Sequence, residues 1–158
     1  MIIYQDDFLN ENEISYLLNL WDKSLVEFSD YAISFYYINL IENPLDLTTI
    51  HNGVFRRKDV VKMRLQLYNE SFNQIDYFHG HENLHNYIIF LNDNFRGGEL
   101  EFENGLLVKP KKGSLVYFNN NEKHKVHPCV GDRYVFTALG DKELDIQYQI
   151  KKREKKVI

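Results

Sequence analysis

The feature that most constrains the fold of this chain is a series of short apolar segments, each bounded by turns, between residues 87 and 139. The segments read NYIIFLND, GGELEF, GSLVYF and RYVFTAL, and each is followed by a Gly, Asn or Asp signal. Short runs rich in β-branched and aromatic residues predict strands rather than helices. Several such strands in succession predict a β-sandwich or a barrel.

The same pattern predicts strands over most of the chain. The expected strands are residues 31–41 (one strand or a pair), 60–68, 72–81, 87–91, 100–102, 106–108, 114–118, 133–139 and 146–150. In residues 60–68, Leu65 and Leu67 alternate with Arg64 and Gln66, which predicts a half-buried strand. Residues 45–55 are predicted to be mostly loop, and the charge run at 151–158 a solvated end.

A helix is predicted as the first element. Asn10 is a suitable N-cap residue, and Glu13 follows it at the spacing of a capping box. Apolar residues then recur at helical intervals and form one face, namely Ile14, Leu17, Leu18 and Trp21.

Length and composition predict one domain covering residues 1–158. The net charge is −4 with interspersed signs, so a general nucleic-acid binder, which would carry a basic stripe, is not expected. No apolar run approaches the roughly 20 residues that a membrane helix needs, and the N-terminus does not resemble a signal peptide. A single cysteine, Cys129, excludes an internal disulfide and favours a reducing cytoplasm; it is predicted to be a small buried residue.

The segment HKVHPCVGDRY holds two candidate functional residues. His124 and Arg133 are nine residues apart and are separated by a Gly131-Asp132 turn. An imidazole is a good ligand for Fe(II) and related metals, and a guanidinium is a planar, permanently charged partner for a carboxylate. His127, nearby, is expected to share the strand face of His124 and to be structural or to support a metal ligand.

Residues 86–138, with GGELEF, PKKGSLVYF and the spaced His and Arg, resemble the Fe(II)/2-oxoglutarate-dependent oxygenases, in particular the prolyl-4-hydroxylase-like branch. The resemblance implies a mainly β fold, the double-stranded β-helix or jelly roll, with an N-terminal helix packed on it. It also implies that His124 binds the metal, and that Arg133 and Tyr68 bind 2-oxoglutarate. The implied cofactors are Fe(II) and 2-oxoglutarate, with O2 as co-substrate.

The family normally carries an upstream His-x-Asp pair, and this chain departs from that pattern. One register places Gln74 and Asp76 there, which keeps the carboxylate but replaces the imidazole with an amide. A second register uses His79 and His81. A third combines Asp76, either of these histidines and His124. The fourth possibility is a degenerate site. Glu82 and His85 also lie in this polar loop, which can equally be a surface loop without function.

The predicted function is hydroxylation of a C–H bond, with 2-oxoglutarate and O2 as small-molecule partners. The substrate is unknown; a prolyl residue of a protein is the family default. An alternative is a catalytically degenerate jelly-roll module that binds a partner or has a structural role. The His-x-His doublet also raises a cupin-like metalloenzyme, which ranks lower because the later cupin spacing is absent.

Overall fold

The computed structural model describes residues 2–20, 26–28, 34–38, 62–71, 77–80, 85–119, 122–140 and 156–157. This part of the chain forms one helix and thirteen strands, so the protein is mainly β as expected. The elements are β1 (Ile2–Gln5), α1 (Glu11–Leu20), β2 (Val26–Phe28), β3 (Ser34–Ile38), β4 (Lys62–Tyr68), β5 (His85–Phe90), β6 (Arg96–Gly97), β7 (Leu100–Phe102), β8 (Leu107–Val108), β9 (Leu115–Asn119), β10 (His124–Val126), β11 (Cys129–Val130), β12 (Arg133–Gly140) and β13 (Lys156–Val157).

The strands form one large sheet and two small ones. The large sheet has eight strands in the order β13-β1-β9-β5-β12-β4-β3-β2, the second sheet has the order β10-β7-β8, and the third pairs β11 with β6. Every strand pairing that the structure describes is antiparallel. Because the order in each sheet differs from the order in the chain, the connections cross from sheet to sheet, as they do in a jelly roll.

An apolar cluster fills the space between the large sheet and the β10-β7-β8 sheet. Its buried members are Ile2, Phe90, Leu100, Phe102, Val108, Val116, Phe118 and Val135. The large sheet and the small sheet both contribute to this cluster, so the two sheets face each other as the layers of a sandwich.

A second apolar cluster covers the other face of the large sheet. Helix α1 contributes Ile14 and Leu17, which pack with buried residues of the sheet such as Tyr87, Ile89 and Phe136. The predicted N-terminal helix therefore packs on the sheet, and the helix face is confirmed over its described residues. Trp21, which was assigned to the same face, lies outside the described residues.

Burial on both faces explains the nearly continuous apolar runs of the central strands. In β12, Val135 belongs to the cluster between the sheets, whereas Phe136 and Ala138 belong to the cluster under the helix. A strand covered on two faces needs apolar residues at successive positions rather than at alternate ones. The alternation also directs Arg133 and Thr137 to the same side as Val135.

The capping box at the start of α1 is formed as predicted. The Asn10 backbone N–H donates to Glu13 Oε1 at 3.0 Å, and the Glu13 backbone N–H donates to Asn10 Oδ1 at 2.9 Å. Both bonds satisfy backbone donors that the first turn of a helix otherwise leaves without a partner.

Three expectations about the chain ends and connections need correction or qualification. The first element is strand β1 rather than the helix, because residues 2–5 pair with β9 at the edge of the large sheet. The tail is not wholly solvated, since β13 pairs with β1. In the expected strand at 72–81, the described residues 77–80 form an isolated bridge at His79.

The proposed loop at 45–55 and the strand at 146–150 lie outside the described residues. No helix of the described part is long and apolar enough to cross a membrane.

The substitution Asn10→Ala is expected to lower the free energy of unfolding by about 1 kcal/mol, because it removes the side-chain acceptor of the capping box. The measurement is urea denaturation followed by circular dichroism. Asn94→Ala, at an exposed position, is the matched control and is expected to change the value by less than about 0.5 kcal/mol. Equal effects of the two substitutions would contradict the capping role.

Candidate active site

Two histidines meet at the edge of the β10-β7-β8 sheet. His79 and His124 are directly opposed in an antiparallel bridge, and their backbones exchange two hydrogen bonds of 3.0 and 2.9 Å. Their ring centroids are 4.6 Å apart. The structure therefore brings His79, one candidate ligand of the His79–His81 register, together with the downstream histidine.

The ring of His124 is buried against aromatic side chains in the space between the sheets. It lies 4.7 Å from the ring of Phe118 and 6.3 Å from the ring of Phe102. Its Nδ1 is 3.4 Å from the Glu122 carbonyl oxygen, and Nδ1 of His79 is 3.4 Å from the Tyr77 carbonyl oxygen. A proton held on Nδ1 by such a carbonyl leaves the lone pair on Nε2, the tautomer in which Nε2 can bind a metal.

The other proposed ligands are not brought into this pair by the described residues. Gln74, Asp76, His81 and Glu82 lie outside the part of the chain that the structure describes. His85 is directed to the helix side of the large sheet, where its Nδ1 is 2.7 Å from the Tyr117 hydroxyl. Within the described residues there is no group of three His, Cys, Asp or Glu side chains that could hold a metal.

Arg133 is a buried cation on the inner face of the large sheet, with 4% of its surface exposed. Its Nε donates to the Gly98 carbonyl oxygen at 3.0 Å, and its guanidinium carbon lies 5.4 Å from the centre of the Phe90 ring. No carboxylate of the described residues forms an ion pair with it. Burial lowers the pKa of Arg133 to about 10, so the side chain remains cationic at neutral pH.

Tyr68 lies beside Arg133, as the resemblance implied. The two residues are directly opposed between β4 and β12, and Tyr68 is buried. Burial raises the pKa of the Tyr68 hydroxyl, which therefore keeps its proton at neutral pH and can donate a hydrogen bond. Cys129 completes this group, with its Sγ 3.5 Å from the Tyr68 carbonyl oxygen. The prediction that Cys129 is buried is confirmed.

Glycines make room for Arg133. Gly97 and Gly98 both have positive φ, of 76° and 72°, and form the predicted turn before β7. A Cβ at Gly98 would lie 2.9 Å from the Arg133 Cδ and 3.0 Å from the Phe95 ring. Gly131, with φ of 99°, allows the predicted reversal into β12.

The histidine pair and the arginine face the same space. His124 and Val126 are on one face of β10, and Val126 packs both against the apolar cluster between the sheets and against the cluster of Tyr68 and Cys129. Strand β10 thus passes from Phe118 at one end to the neighbourhood of Tyr68 at the other. Two imidazoles suit a divalent metal, and a buried guanidinium without a carboxylate partner among the described residues suits an anion, so these side chains fit part of an iron site and the carboxylate of an oxo acid.

The expectation that His127 shares a strand face with His124 is wrong. His127 lies three residues further along, beyond the end of β10, and its Nε2 is 2.7 Å from Glu101 Oε2. Glu101 and Lys125 pair on the outer face of the small sheet, where their charged atoms are 3.8 Å apart. His127 therefore belongs to a polar cluster on the outer face and not to the histidine pair.

Sequence reasoning missed the role of the inner face of β4. Arg64 and Gln66 were assigned to the open side of a half-buried strand, but the Arg64 Nε lies 3.3 Å from Thr137 Oγ1 on the inner face of β12. The signal was present in the sequence, since Tyr68 shares the parity of Arg64 and Gln66. Because side chains alternate along a strand, a Tyr68 that faces the site implies that Arg64 and Gln66 lie on the same inner face of β4.

Two facing antiparallel sheets, with a histidine pair and a buried arginine between them, define the double-stranded β-helix fold. Residues 63–139, nearly half of the chain, match the model of the 2OG-Fe(II) oxygenase superfamily. This match confirms the resemblance drawn from the sequence to a superfamily whose members typically use Fe(II) and 2-oxoglutarate. No curated protein sequence matches the chain.

Solved structures support the fold assignment. A 2OG-Fe(II) oxygenase-family oxidoreductase from Burkholderia pseudomallei is 12% identical with a TM-score of 0.68, covering 89% of this chain and 86% of its own. The viral collagen prolyl hydroxylase of Paramecium bursaria Chlorella virus-1, in complex with 2OG, is 16% identical with a TM-score of 0.65, covering 90% and 96%. A prolyl-4-hydroxylase from Pseudomonas putida is 16% identical with a TM-score of 0.63, covering 89% and 92%. At such identities the likeness shows the fold.

The Cys129 thiol is expected to react slowly with iodoacetamide in the native protein at pH 8. Burial raises its pKa to about 11, so the reactive thiolate is scarce, and its surface is 3% exposed. Labelling is measured by intact-protein mass spectrometry, and the protein unfolded in urea is the control that should label fast. Because the chain has one cysteine, rapid labelling of the native protein would contradict this placement.

Proposed function

We propose that this protein is an Fe(II)/2-oxoglutarate-dependent dioxygenase that hydroxylates a C–H bond of its substrate. The observation that carries the proposal is the buried Arg133 guanidinium, which has no carboxylate partner among the described residues. Leaving a charge unpaired in a protein interior costs on the order of several kcal/mol. A bound dicarboxylate such as 2-oxoglutarate would offset that cost.

In this proposal His124 holds the metal together with His79, and the third ligand comes from Asp76 or His81. When bound, Fe(II) supplies the redox chemistry by which O2 is used. One oxygen atom enters the substrate C–H bond, and the other enters succinate as 2-oxoglutarate loses CO2. The carbonyl contacts of the two Nδ1 atoms orient the imidazoles, which is the contribution of the described residues to metal binding.

Arg133 and Tyr68 bind the far carboxylate of 2-oxoglutarate. The guanidinium supplies charge and a planar pair of donors, and the protonated Tyr68 hydroxyl supplies one further donor. The buried ring of Phe90 lies beside the guanidinium, and the buried rings of Phe102 and Phe118 lie beside His124, so apolar surface limits the access of water to both groups. Hydrogen bonds and ion pairs are stronger in such a water-poor site.

For the substrate, we propose only a chemical class and no particular molecule. The names of several structural neighbours include prolyl hydroxylases, which supports a protein-bound prolyl residue as one candidate substrate. We also propose that residues 1–158 form one domain. We propose a reducing cytoplasm as the location of the protein, because its single cysteine is a buried free thiol.

A second candidate function is a jelly-roll module that has lost catalysis. It is favoured by the absence of a His-x-Asp pair from the sequence and by the fact that the described residues supply two metal ligands rather than three. Such a module would keep the fold and the partner surface without turning over 2-oxoglutarate.

Titration of Mn(II) and 2-oxoglutarate, followed by calorimetry, distinguishes the two functions. We expect wild-type protein to bind both and, with Fe(II) and O2, to form succinate. His124→Ala should abolish metal binding. A correctly folded wild type that binds neither Mn(II) nor 2-oxoglutarate would support the degenerate module instead.

Arg133→Met is expected to have opposite effects on stability and on binding. In the absence of ligand it should raise the free energy of unfolding by about 1–2 kcal/mol, because an unpaired buried charge is replaced by an apolar side chain. Addition of Mn(II) and 2-oxoglutarate should raise the melting temperature of the wild type but not of this variant. A ligand-induced rise of equal size in both proteins would contradict the assigned role of Arg133.

Gly98→Ala is expected to weaken 2-oxoglutarate binding at least tenfold, because the new Cβ would displace the Arg133 side chain and the Phe95 ring. Gly105→Ala is the matched control: its φ is also positive, at 93°, but no atom lies within 4 Å of the added Cβ. Both variants carry backbone strain, so a difference in affinity isolates the effect on Arg133. Affinity is measured by calorimetry in the presence of Mn(II), and equal affinities would show that Gly98 does not position the arginine.

A further inference from the structure

Arg133 stands at the end of β12 where the regular pairing of that strand with β5 has already stopped. The ladder between β12 and β5 ends two residues after Arg133. One further backbone bond follows, from the Leu91 N–H to the Tyr134 carbonyl oxygen at 2.9 Å. Continued towards the strand end, the register of this ladder sets Asn92 opposite Arg133. The backbone around the buried cation therefore needs another partner on this side.

The side chain of Asn92 supplies that partner. Its Oδ1 accepts from the Tyr134 backbone N–H at 2.8 Å, and its Nδ2 donates to the Asp132 carbonyl oxygen at 2.7 Å. These two backbone groups flank Arg133 in the chain. The Nδ2 group also donates to Asn94 Oδ1 at 2.7 Å, so both of its hydrogens are used. One side chain thus holds the peptide groups on both sides of the Arg133 Cα.

The turn before Arg133 is also held from the opposite side, by the two residues that follow β4. Asn69 Nδ2 donates to Asp132 Oδ1 at 3.0 Å, and the Gly131 backbone N–H donates to Glu70 Oε2 at 2.9 Å. The bond from Gly131 lowers the pKa of Glu70, so its carboxylate is charged at neutral pH. These contacts fix the turn on the N-terminal side of Arg133, whereas the asparagine amide described above contacts both sides.

The direction of the Arg133 side chain depends on this backbone geometry. A side chain leaves the backbone along the Cα–Cβ bond, whose direction is set by the two neighbouring peptide groups. At Arg133 this bond directs the guanidinium to the Gly98 carbonyl oxygen, which accepts from Nε at 3.0 Å, and to the Phe90 ring. A Cβ at Gly98 would lie 2.9 Å from the Arg133 Cδ, so the fit tolerates little displacement.

We propose that Asn92 is a positioning residue for the anion site, which holds the backbone of Arg133 so that the guanidinium meets the far carboxylate of 2-oxoglutarate. The identity of the anion rests on the proposed function, but the positioning is a property of the fold without ligand. The hydrogen bonds described for Asn92 go to β12 and to Asn94, so its effect on binding is exerted through Arg133. Its loss should weaken recognition of the second carboxylate and leave chelation by the 2-oxo acid end unchanged.

The positioning is tested without ligand, through the exchange of the Arg133 Nε proton with water in proton–nitrogen NMR. Arg133→Met assigns the signal, because that substitution removes it. In the wild type this proton is buried and bonded to Gly98, and it should exchange slowly. We expect Asn92→Ala to speed its exchange about tenfold, while the backbone N–H of Phe136, in the middle of β12, keeps its wild-type rate.

Asn94→Ala is the matched control, because it removes the third hydrogen bond of the Asn92 amide and leaves both bonds to β12. It should keep the slow exchange of the Arg133 proton. A wild-type exchange rate in Asn92→Ala would overturn the proposal. Equal acceleration at Arg133 and Phe136 would also overturn it, because that result indicates a general loss of stability.

Asn92→Asp is used if Asn92→Ala does not fold. It keeps an oxygen for the Tyr134 N–H and loses the donor to the Asp132 carbonyl. Faster exchange of the Arg133 proton in this variant supports the positioning role, and an unchanged rate contradicts it.

The consequence for binding is measured with two oxo acids on protein loaded with Mn(II). Both 2-oxoglutarate and pyruvate offer a 2-oxo acid end to the metal, but pyruvate lacks the second carboxylate. We expect Asn92→Ala to weaken binding of 2-oxoglutarate about tenfold and binding of pyruvate less than about twofold. Arg133→Met should show the same selective loss. An equal loss of affinity for both acids would contradict an action through Arg133.

Failure of the proposed function gives a different result. In that case the wild type binds neither Mn(II) nor 2-oxoglutarate, but the exchange of the Arg133 proton still responds to Asn92→Ala, and the positioning role is supported by itself. Conversely, a wild type that binds both, with an exchange rate that Asn92→Ala does not change, keeps the proposed function and overturns this inference.

Discussion

The burial of the Arg133 guanidinium between the two sheets is the constraint on which the site depends. The surrounding structure accommodates this side chain: Gly98 leaves room for its stem and accepts its Nε hydrogen bond, Phe90 lies beside its charged end, and Tyr68 stands opposite it. Burying this charge without a carboxylate partner among the described residues costs folding free energy, and a bound anion would offset that cost.

The two-sided burial of the large sheet determines where the functional groups can lie. One face packs under α1 and is apolar, and His85 on that face contacts Tyr117 rather than the histidine pair. The other face is apolar beneath β7 and β8, whereas along β4 it carries Arg64, Gln66 and Tyr68. The histidine pair, the buried arginine and Arg64 all belong to this second face.

Much of the fold could be predicted because the relevant signals are local. The capping box at Asn10 and Glu13, the glycine turns at Gly97, Gly98 and Gly131, and the apolar runs of the central strands each depend on neighbouring residues. The strand β1 was missed because its four residues are held by pairing with β9, more than 100 positions away. Residues that pair only through tertiary contacts carry little local signal.

By itself, the sequence determined the class of fold and the burial of Cys129, since turn chemistry and spacing are written in consecutive residues. The family resemblance pointed to His124, Tyr68 and Arg133 as candidate residues. Tertiary structure alone decided that His79 lies opposite His124, that His127 faces outward to Glu101, and that Arg64 and Gln66 lie on the inner face of β4. The physical reason is that each of these facts depends on strand register between distant segments. A shift of one residue would turn every side chain of a strand to the other face.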